Sequence, residues 1–404
     1  MTISTKVFAA LGPGDIVAAR KAAIAGAVIG GTSIAYSEQF LSYCRHREFE
    51  VLAISYNSRV DELQNGTIRV ENRPKPIPEA SGLWFYICGM WYALYLARRA
   101  WRFGAVVAIL DLGTAPPFTF CFFRMLGIKV LVDMHNALWP RGHAPRGPVA
   151  RTVRWLNARF FRHGALAAVG VSPECERQFA GEARGNAAFF QYRCQFERDG
   201  FKLGVPYDGG PFRVLFVGRA ESNKGILDIP EIARQLQLRC ETPIVFEVCG
   251  DGPALRELKR MVKYDDAINI LIHGHVERRH LLDIYARAHA VIIPTRSTFT
   301  EGVPAVCAEA MLSGLPVITS EVAHAADVIG AATIEVATDE IEGYVRAILS
   351  LIQDPKLYHQ LRSQCHALSL QFLDRSFSLP AAVDRILSTT FATAKMQDCD
   401  KLFN

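Results

Sequence analysis

Two acids at E-x7-E spacing stand out in Thr300-Glu301-Gly302-Val303-Pro304-Ala305-Val306-Cys307-Ala308-Glu309-Ala310-Met311. Pro304 suits the first position of a helix and Gly314 a left-handed terminator, so a helix is expected over 304–313. Its unpaired N–H groups, with that of Val303, would then join those of Ala305 and Val306 in an anion site favoured by the helix dipole. Glu301 precedes that site and Glu309 lies inside the helix, an arrangement that suits a phosphate flanked by hydroxyl-bearing groups, as in a sugar nucleotide. A helix N-terminal acid is the plain alternative for Glu301. A solvated helix face is the alternative for Glu309, and its apolar neighbours argue against it. A second segment, Val217-Gly218-Arg219-Ala220-Glu221-Ser222-Asn223-Lys224-Gly225, follows an apolar run. Arg219 brings a planar fork and Lys224 a compact charge, a pair suited to a diphosphate. The Walker pattern is absent.

These residues need strand ends and helix starts to hold them. Short β-branched runs alternate with longer amphipathic ones, the pattern of βα units around parallel sheets. In the first half, strands are expected at 6–10, 50–55, 105–110, 129–133 and 165–171, with helices at 33–47, 83–101, 117–126 and 147–161. Six Gly and Pro crowd residues 199–211 and mark a linker at 201–211. A second set follows, with strands at 213–217, 244–249, 269–273, 290–293 and 316–319. Its helices are expected at 225–238, 253–262, 277–286, 304–312, 339–352 and 355–370, with a last helix at 376–396. The resulting organisation is α/β: two doubly wound domains, 1–200 and 212–372, whose strand ends face each other across a cleft.

The chain has 404 residues, half of them apolar, 21% charged, and a net charge of +5. This is enough for two buried cores and excludes a disordered class. Residues 1–200 carry a net +9 and residues 201–404 a net −4, so an anionic partner is expected at the first half. Nucleic acid is not that partner, because no RRM, zinc-finger or basic-zipper pattern occurs. The ten cysteines include no C-x-x-C and sit mostly in apolar runs, as buried thiols of a reducing compartment do. Asn65-Gly66-Thr67 is read as a turn. The uncharged stretches 22–37 and 83–97 fall short of the ~20 residues that span a bilayer. The chain is therefore expected to be cytoplasmic, either soluble or peripheral on a membrane face.

The Glu301/Glu309 pair and the Gly218-Arg219…Lys224-Gly225 segment, at their mutual spacing, resemble retaining glycosyltransferases of family 4, of the GT-B fold. Gly250-Asp251-Gly252-Pro253 and Ile272-His273-Gly274-His275-Val276 extend the likeness, which is dense over 205–372 and loose before it. The resemblance implies a nucleotide-sugar donor. Arg219 and Lys224 would hold its diphosphate, Glu309 its ribose and Glu301 the transferred sugar. Main chain at Gly218 and at Gly302, Val303, Ala305 and Val306 would meet phosphate and sugar oxygens, and Val276 would line the base pocket. His135, at the end of Val132-Asp133-Met134-His135-Asn136, is similar to the histidine this family places beside the transferred sugar. Gly30-Gly31 resembles the family's glycine turn, with Gly12-Pro13-Gly14-Asp15 a competing candidate. The last helix would cross back to the first domain.

No metal or other cofactor is implied, since the one D-x-D, Asp398-Cys399-Asp400, lies in the tail. From His135 to Pro173 there are six Arg and no acid, and residues 83–102 add seven Trp, Tyr and Phe with three Arg. Aromatic and basic side chains together suit a headgroup-level surface. The reading is a hexosyl-type transferase acting on a lipid-linked or oligosaccharide acceptor of bacterial surface polysaccharide, with peripheral membrane contact through the first domain. A sugar-nucleotide epimerase and a non-catalytic sugar-nucleotide-binding subunit are the alternatives.

Overall fold

The computed structural model describes residues 5–26, 32–78, 80–263, 265 and 268–400, the last ten as backbone only. Strands β1 (Lys6–Ala10), β2 (Ser33–Ile34), β3 (Glu50–Ser55), β4 (Asp61–Asn65), β5 (Ile68–Asn72), β6 (Val107–Asp111), β7 (Lys129–Met134), β8 (Ala165–Gly170), β9 (Ala188–Gln191) and β10 (Gln195–Phe196) come first. Then follow β11 (Phe212–Val217), β12 (Ile244–Cys249), β13 (Ile270–Gly274), β14 (Ala290–Ile293), β15 (Val317–Ser320) and β16 (Thr333–Val336).

Eight strands form the first sheet in the order β4-β5-β3-β1-β6-β7-β8-β9, and six form the second in the order β13-β12-β11-β14-β15-β16. All pairs are parallel except the β4–β5 hairpin and the small β2–β10 ribbon. The central strands are apolar on both faces because helices cover both: residues 107–110 and 130–132 are all buried. Among the parallel strands of each sheet the order reverses between β1 and β6 and between β11 and β14. Such switch points open a crevice at the carboxyl ends of the strands.

Several boundaries move. The helix expected at 33–47 runs Tyr36–His46, because residues 33–34 pair with Gln195 and Phe196 as an antiparallel ribbon. Pro304 is the cap of its helix, which spans Ala305–Leu312. The hairpin β4–β5 was not expected: β4 is polar and lies at a sheet edge, so it lacks the apolar alternation that marks a half-buried strand. β9, β16 and the helices Ile16–Ile24 and Pro173–Ala183 are further additions. The stretch 201–211 is no free tether. Gly204 N–H donates to the Ser313 carbonyl at 2.8 Å and Val205 N–H to that of Ala286 at 3.0 Å.

The last helix, Leu379–Asp400, buries Leu379, Ala382, Val383, Ile386 and Leu387 in the core of the first sheet. Tyr43 donates to Asp384 at 2.8 Å on its flank. The second sheet has cores on its two faces. The cysteines 44, 88, 121, 175, 194, 240, 249, 307 and 365 carry free thiols.

Candidate active site

The donor-type segments converge at the second switch point. β11 leads into Gly218-Arg219, β14 into Pro294-Thr295, and the loop 295–304 leads into the helix at Ala305. Between them lies a cavity of about 380 Å³ lined by Gly218, Arg219, Lys224, Glu301, Val303, Ala305 and Val306, with His135 and Tyr36 reaching in from the first domain. No side chain caps the helix at Ala305, so its first N–H groups are free to meet an anion.

Lys224 Nζ pairs with Glu301 and sits over the ring of Phe299, 4.2 Å from its centroid. Both charges are largely shielded, at 17% and 10% exposure. Arg219 pairs with Glu221 at 2.7 Å and is 63% exposed, so it can swing. Gly225 carries φ +72°, and a Cβ there would stand 1.9 Å from the Pro294 carbonyl oxygen. Only glycine allows the Lys224 turn to lie this close to the end of β14.

The first domain closes the cavity from the other side. A Cβ at Gly302 would lie 1.9 Å from the His135 carbonyl oxygen, and Ala137 N–H donates to the Glu301 carbonyl at 3.2 Å. His135 itself is locked. Its Nε2 is 3.1 Å from Asp133 Oδ2 and its Nδ1 3.0 Å from the Tyr192 hydroxyl, which donates to Asp133 Oδ1 at 2.7 Å. Tyr36 packs on the ring at 4.7 Å. Burial pulls the imidazole pKa down, but the charge and hydrogen bond of Asp133, with the charge of Asp111, push it up to about 9. As a cation it donates from Nδ1 to the Tyr192 hydroxyl and pairs through Nε2 with the Asp133 carboxylate. Both ring nitrogens are thus engaged, so His135 offers the cleft no free ring nitrogen.

A second cavity, of about 740 Å³, occupies the switch point of the first sheet. Gly12, Pro13 and Gly14 after β1, Asp111 and Gly113 around the end of β6, and Asp133 on β7 with His135 just after it line it, with Tyr56, Tyr86 and Trp139. Burial raises the Asp111 carboxyl to about 6, against the pull of His135 and with the repulsion of Asp133 beside it in register. Tyr36, His135 and Asn136 form the wall common to both cavities.

Two expected residues lie elsewhere. Glu309 is a buried residue of the helix, outside the lining of the 380 Å³ cavity, and accepts hydrogen bonds from Thr32 and Tyr285. Burial raises its pKa, against the effect of those two bonds. Its neighbours are apolar, as the sequence suggested, but the partners that hold it are 277 and 24 residues away. Val276 is half-buried against a core and does not line the cavity. Gly30 and Gly31 fall outside the described residues, whereas Gly12–Gly14 line the larger cavity. Sequence reasoning missed Asp111, Tyr192, Tyr36 and Phe299. A signal existed for Asp111: an acid that ends a fully apolar run, as Asp133 also does.

Over nearly its whole length the chain superposes on solved two-domain transferases. Sucrose-phosphate synthase from Thermosynechococcus elongatus matches at TM-score 0.71 and 14% identity, covering 96% of this chain and 100% of that one. The trehalose 6-phosphate synthase from Burkholderia multivorans matches at 0.69 and 12%, covering 98% of each. The fold is GT-B. HepE from Anabaena, solved in complex with UDP, matches this GT-B chain at 0.62 and 14%, covering 96% and 100%. Residues 202–366 match the family model of glycosyl transferases group 1. Glycogen synthase of Mycobacterium tuberculosis is 27% identical over 150 residues, 36% of this chain and 35% of that protein. D-inositol 3-phosphate glycosyltransferase of Xylanimonas cellulosilytica is 31% identical over 122 residues, 30% and 28% of the two. These matches span about a third of the curated relatives' length.

Proposed function

We propose that the chain is a retaining glycosyltransferase of family 4 that moves a sugar from a nucleotide-diphosphate donor to an acceptor. The observation that carries this reading is the pair of cavities, one per switch point, sharing the wall of Tyr36, His135 and Asn136. A transferase needs two substrates held on either side of one reacting carbon, and a binding subunit does not.

In this reading the diphosphate enters the 380 Å³ cavity, where Arg219, Lys224 and the helix N-terminus meet the negative charge that grows on the leaving group. Lys224, paired with Glu301, exchanges that partner for phosphate and frees Glu301 for sugar hydroxyls. His135 faces the same region. These groups supply the electrostatic stabilisation with protein charges alone. Ribose recognition by Glu309 requires Thr32 to give way. Base contact by Val276 requires the ligand to reach past the cavity described here.

The acceptor reading is a lipid-linked sugar of surface polysaccharide, taken from the inner face of a membrane. Leu83, Trp84 and Trp91 of the helix Gly82–Phe103 are 73%, 63% and 64% exposed, and Tyr86 of the same helix lines the larger cavity. Val149 and Trp155 are exposed on the helix Pro148–His163, whose Arg154 also lines the cavity. Among the described residues, no helix is long and apolar enough to cross a membrane.

A radiolabelled donor tests the transfer, with UDP-sugars first because the HepE structure holds UDP. Label on an extractable acceptor supports it, free altered sugar indicates an epimerase, and bound unchanged label indicates a binding subunit. Sedimentation with anionic vesicles at low salt tests the membrane contact. A wild-type protein that stays in the supernatant removes it, and Trp84→Ser with Trp91→Ser is expected to weaken binding several-fold.

A further inference from the structure

One cluster between the two domains belongs to neither cavity. His324 follows β15, Asp327 sits in the short helix Ala326–Ile329, and Glu174 opens the helix Pro173–Ala183 of the first domain. One ligand atom from each, a ring nitrogen and two carboxylate oxygens, lies within 4.8 Å of the others. None of the three lines either cavity.

His324 is fully buried, and neither of its ring nitrogens has a hydrogen-bond partner. A buried polar group in that condition calls for an explanation. Its Nδ1 is 3.8 Å from Asp327 Oδ2, beyond a hydrogen bond and near the separation of two atoms that share an ion. Glu174 Oε1 accepts from Gln178 at 2.7 Å, and Oε2 faces the cluster, where Arg177 now pairs with it.

We propose that Glu174, His324 and Asp327 form an interdomain site for a divalent transition-metal ion, with zinc as the best fit. One nitrogen and two carboxylate oxygens form a donor set that zinc accepts. Ligands about 2.1 Å from such an ion stand roughly 3.4 Å apart at tetrahedral angles, so the three need to draw in by up to about 1.4 Å. Arg141 is the competitor: it pairs with Asp327, lies 3.5 Å from Glu174 and 3.8 Å from Glu335. Arg177 also pairs with Glu174, but at 59% exposure it can retreat into solvent. Three carboxylates, Glu174, Asp327 and Glu335, face these two guanidiniums, so the local charge does not repel a dication. Arg141 and the ion are thus alternative cations for one interdomain clasp. With Glu174 on one domain and His324 and Asp327 on the other, the ion would pin the closed arrangement that brings Gly302 against His135.

The test uses the full chain stripped with a chelator and titrated calorimetrically with zinc chloride, with magnesium chloride beside it. One zinc equivalent per chain and a raised melting temperature, with no magnesium response, are expected. His324→Gln should weaken that equivalent at least tenfold. Arg141→Gln should tighten it several-fold by freeing Asp327, whereas a purely salt-bridged cluster would only be destabilised by the same change. Cobalt in the wild-type chain should give ligand-field bands of a nitrogen and oxygen set without thiolate charge transfer, a readout that needs no variant. Equal zinc binding by wild type and His324→Gln, thiolate bands with cobalt, or no zinc equivalent at all would overturn the proposal.

Discussion

The two switch-point crevices are built on the same topological rule and by opposite means. The second is made by consecutive residues: a cation-bearing turn after β11 and an uncapped helix after β14, each contained in about ten residues of sequence. The first is assembled from single residues at the ends of β1, β6 and β7, with aromatic side chains from three further elements. Main-chain donors and paired cations suit a ligand part that is always the same, such as a diphosphate. A mosaic of strand-end acids and aromatics suits a ligand part that differs between proteins of one fold. This contrast explains why the matches to relatives concentrate in 202–366 while the whole chain superposes.

The largest expected effect falls on the second crevice. Lys224→Ala, and Arg219→Ala beside it, should lower turnover by on the order of 10²–10³ with the melting temperature kept, by analogy with loss of one oxyanion donor. Near-normal turnover in both would end the diphosphate reading. Next is the contact between the crevices. Gly302→Ala places a Cβ against the His135 carbonyl and should cost about 1–3 kcal/mol of stability, read by thermal unfolding. An unshifted melting temperature would mean that the two loops do not meet in solution.

A smaller effect is expected in the first crevice. Asp111→Asn should reduce transfer about tenfold through the acceptor while donor affinity stays constant, the size of one lost charged hydrogen bond. A changed donor affinity would blur the division between the crevices. Smallest is a pH effect on stability. The folded His135 pKa of about 9 lies above the ordinary value, so its stabilisation is complete below about 6.5 and is lost as pH rises through about 9. His135→Gln should flatten that part of the stability–pH curve, and an unchanged slope would place the titration on another group.

Much of the frame was legible in sequence. Lys6–Ala10, Glu50–Ser55, Ile244–Cys249 and Ala290–Ile293 have the bounds their apolar runs suggest, because buried parallel strands have no polar face to blur them. The hairpin 61–72 was not legible, since β4 lies open at the sheet edge and β5 buries the polar Glu71 and Asn72, which break an apolar run. Glu301, Arg219 and Lys224 were legible as a group because each lies within a few residues of a strand or helix end. The occupation of Glu309 by Thr32 and Tyr285 was not, and neither was the enclosure of His135 between Asp133 and Tyr192.

By itself, the sequence determined the alternation of apolar and amphipathic segments, hence two parallel sheets, and the chemical content of the turn at 218–225 and the loop at 300–306. Those properties depend on neighbours along the chain. Only the tertiary structure decided which charges meet. The pairing of Lys224 with Glu301 depends on how β11 and β14 are set in one sheet, and the closeness of Gly302 to His135 and the gathering of Glu174, His324 and Asp327 depend on how the two sheets are set against each other. Contacts between residues far apart in the chain are selected by the shape and charge of whole surfaces, and no short stretch of sequence carries that information.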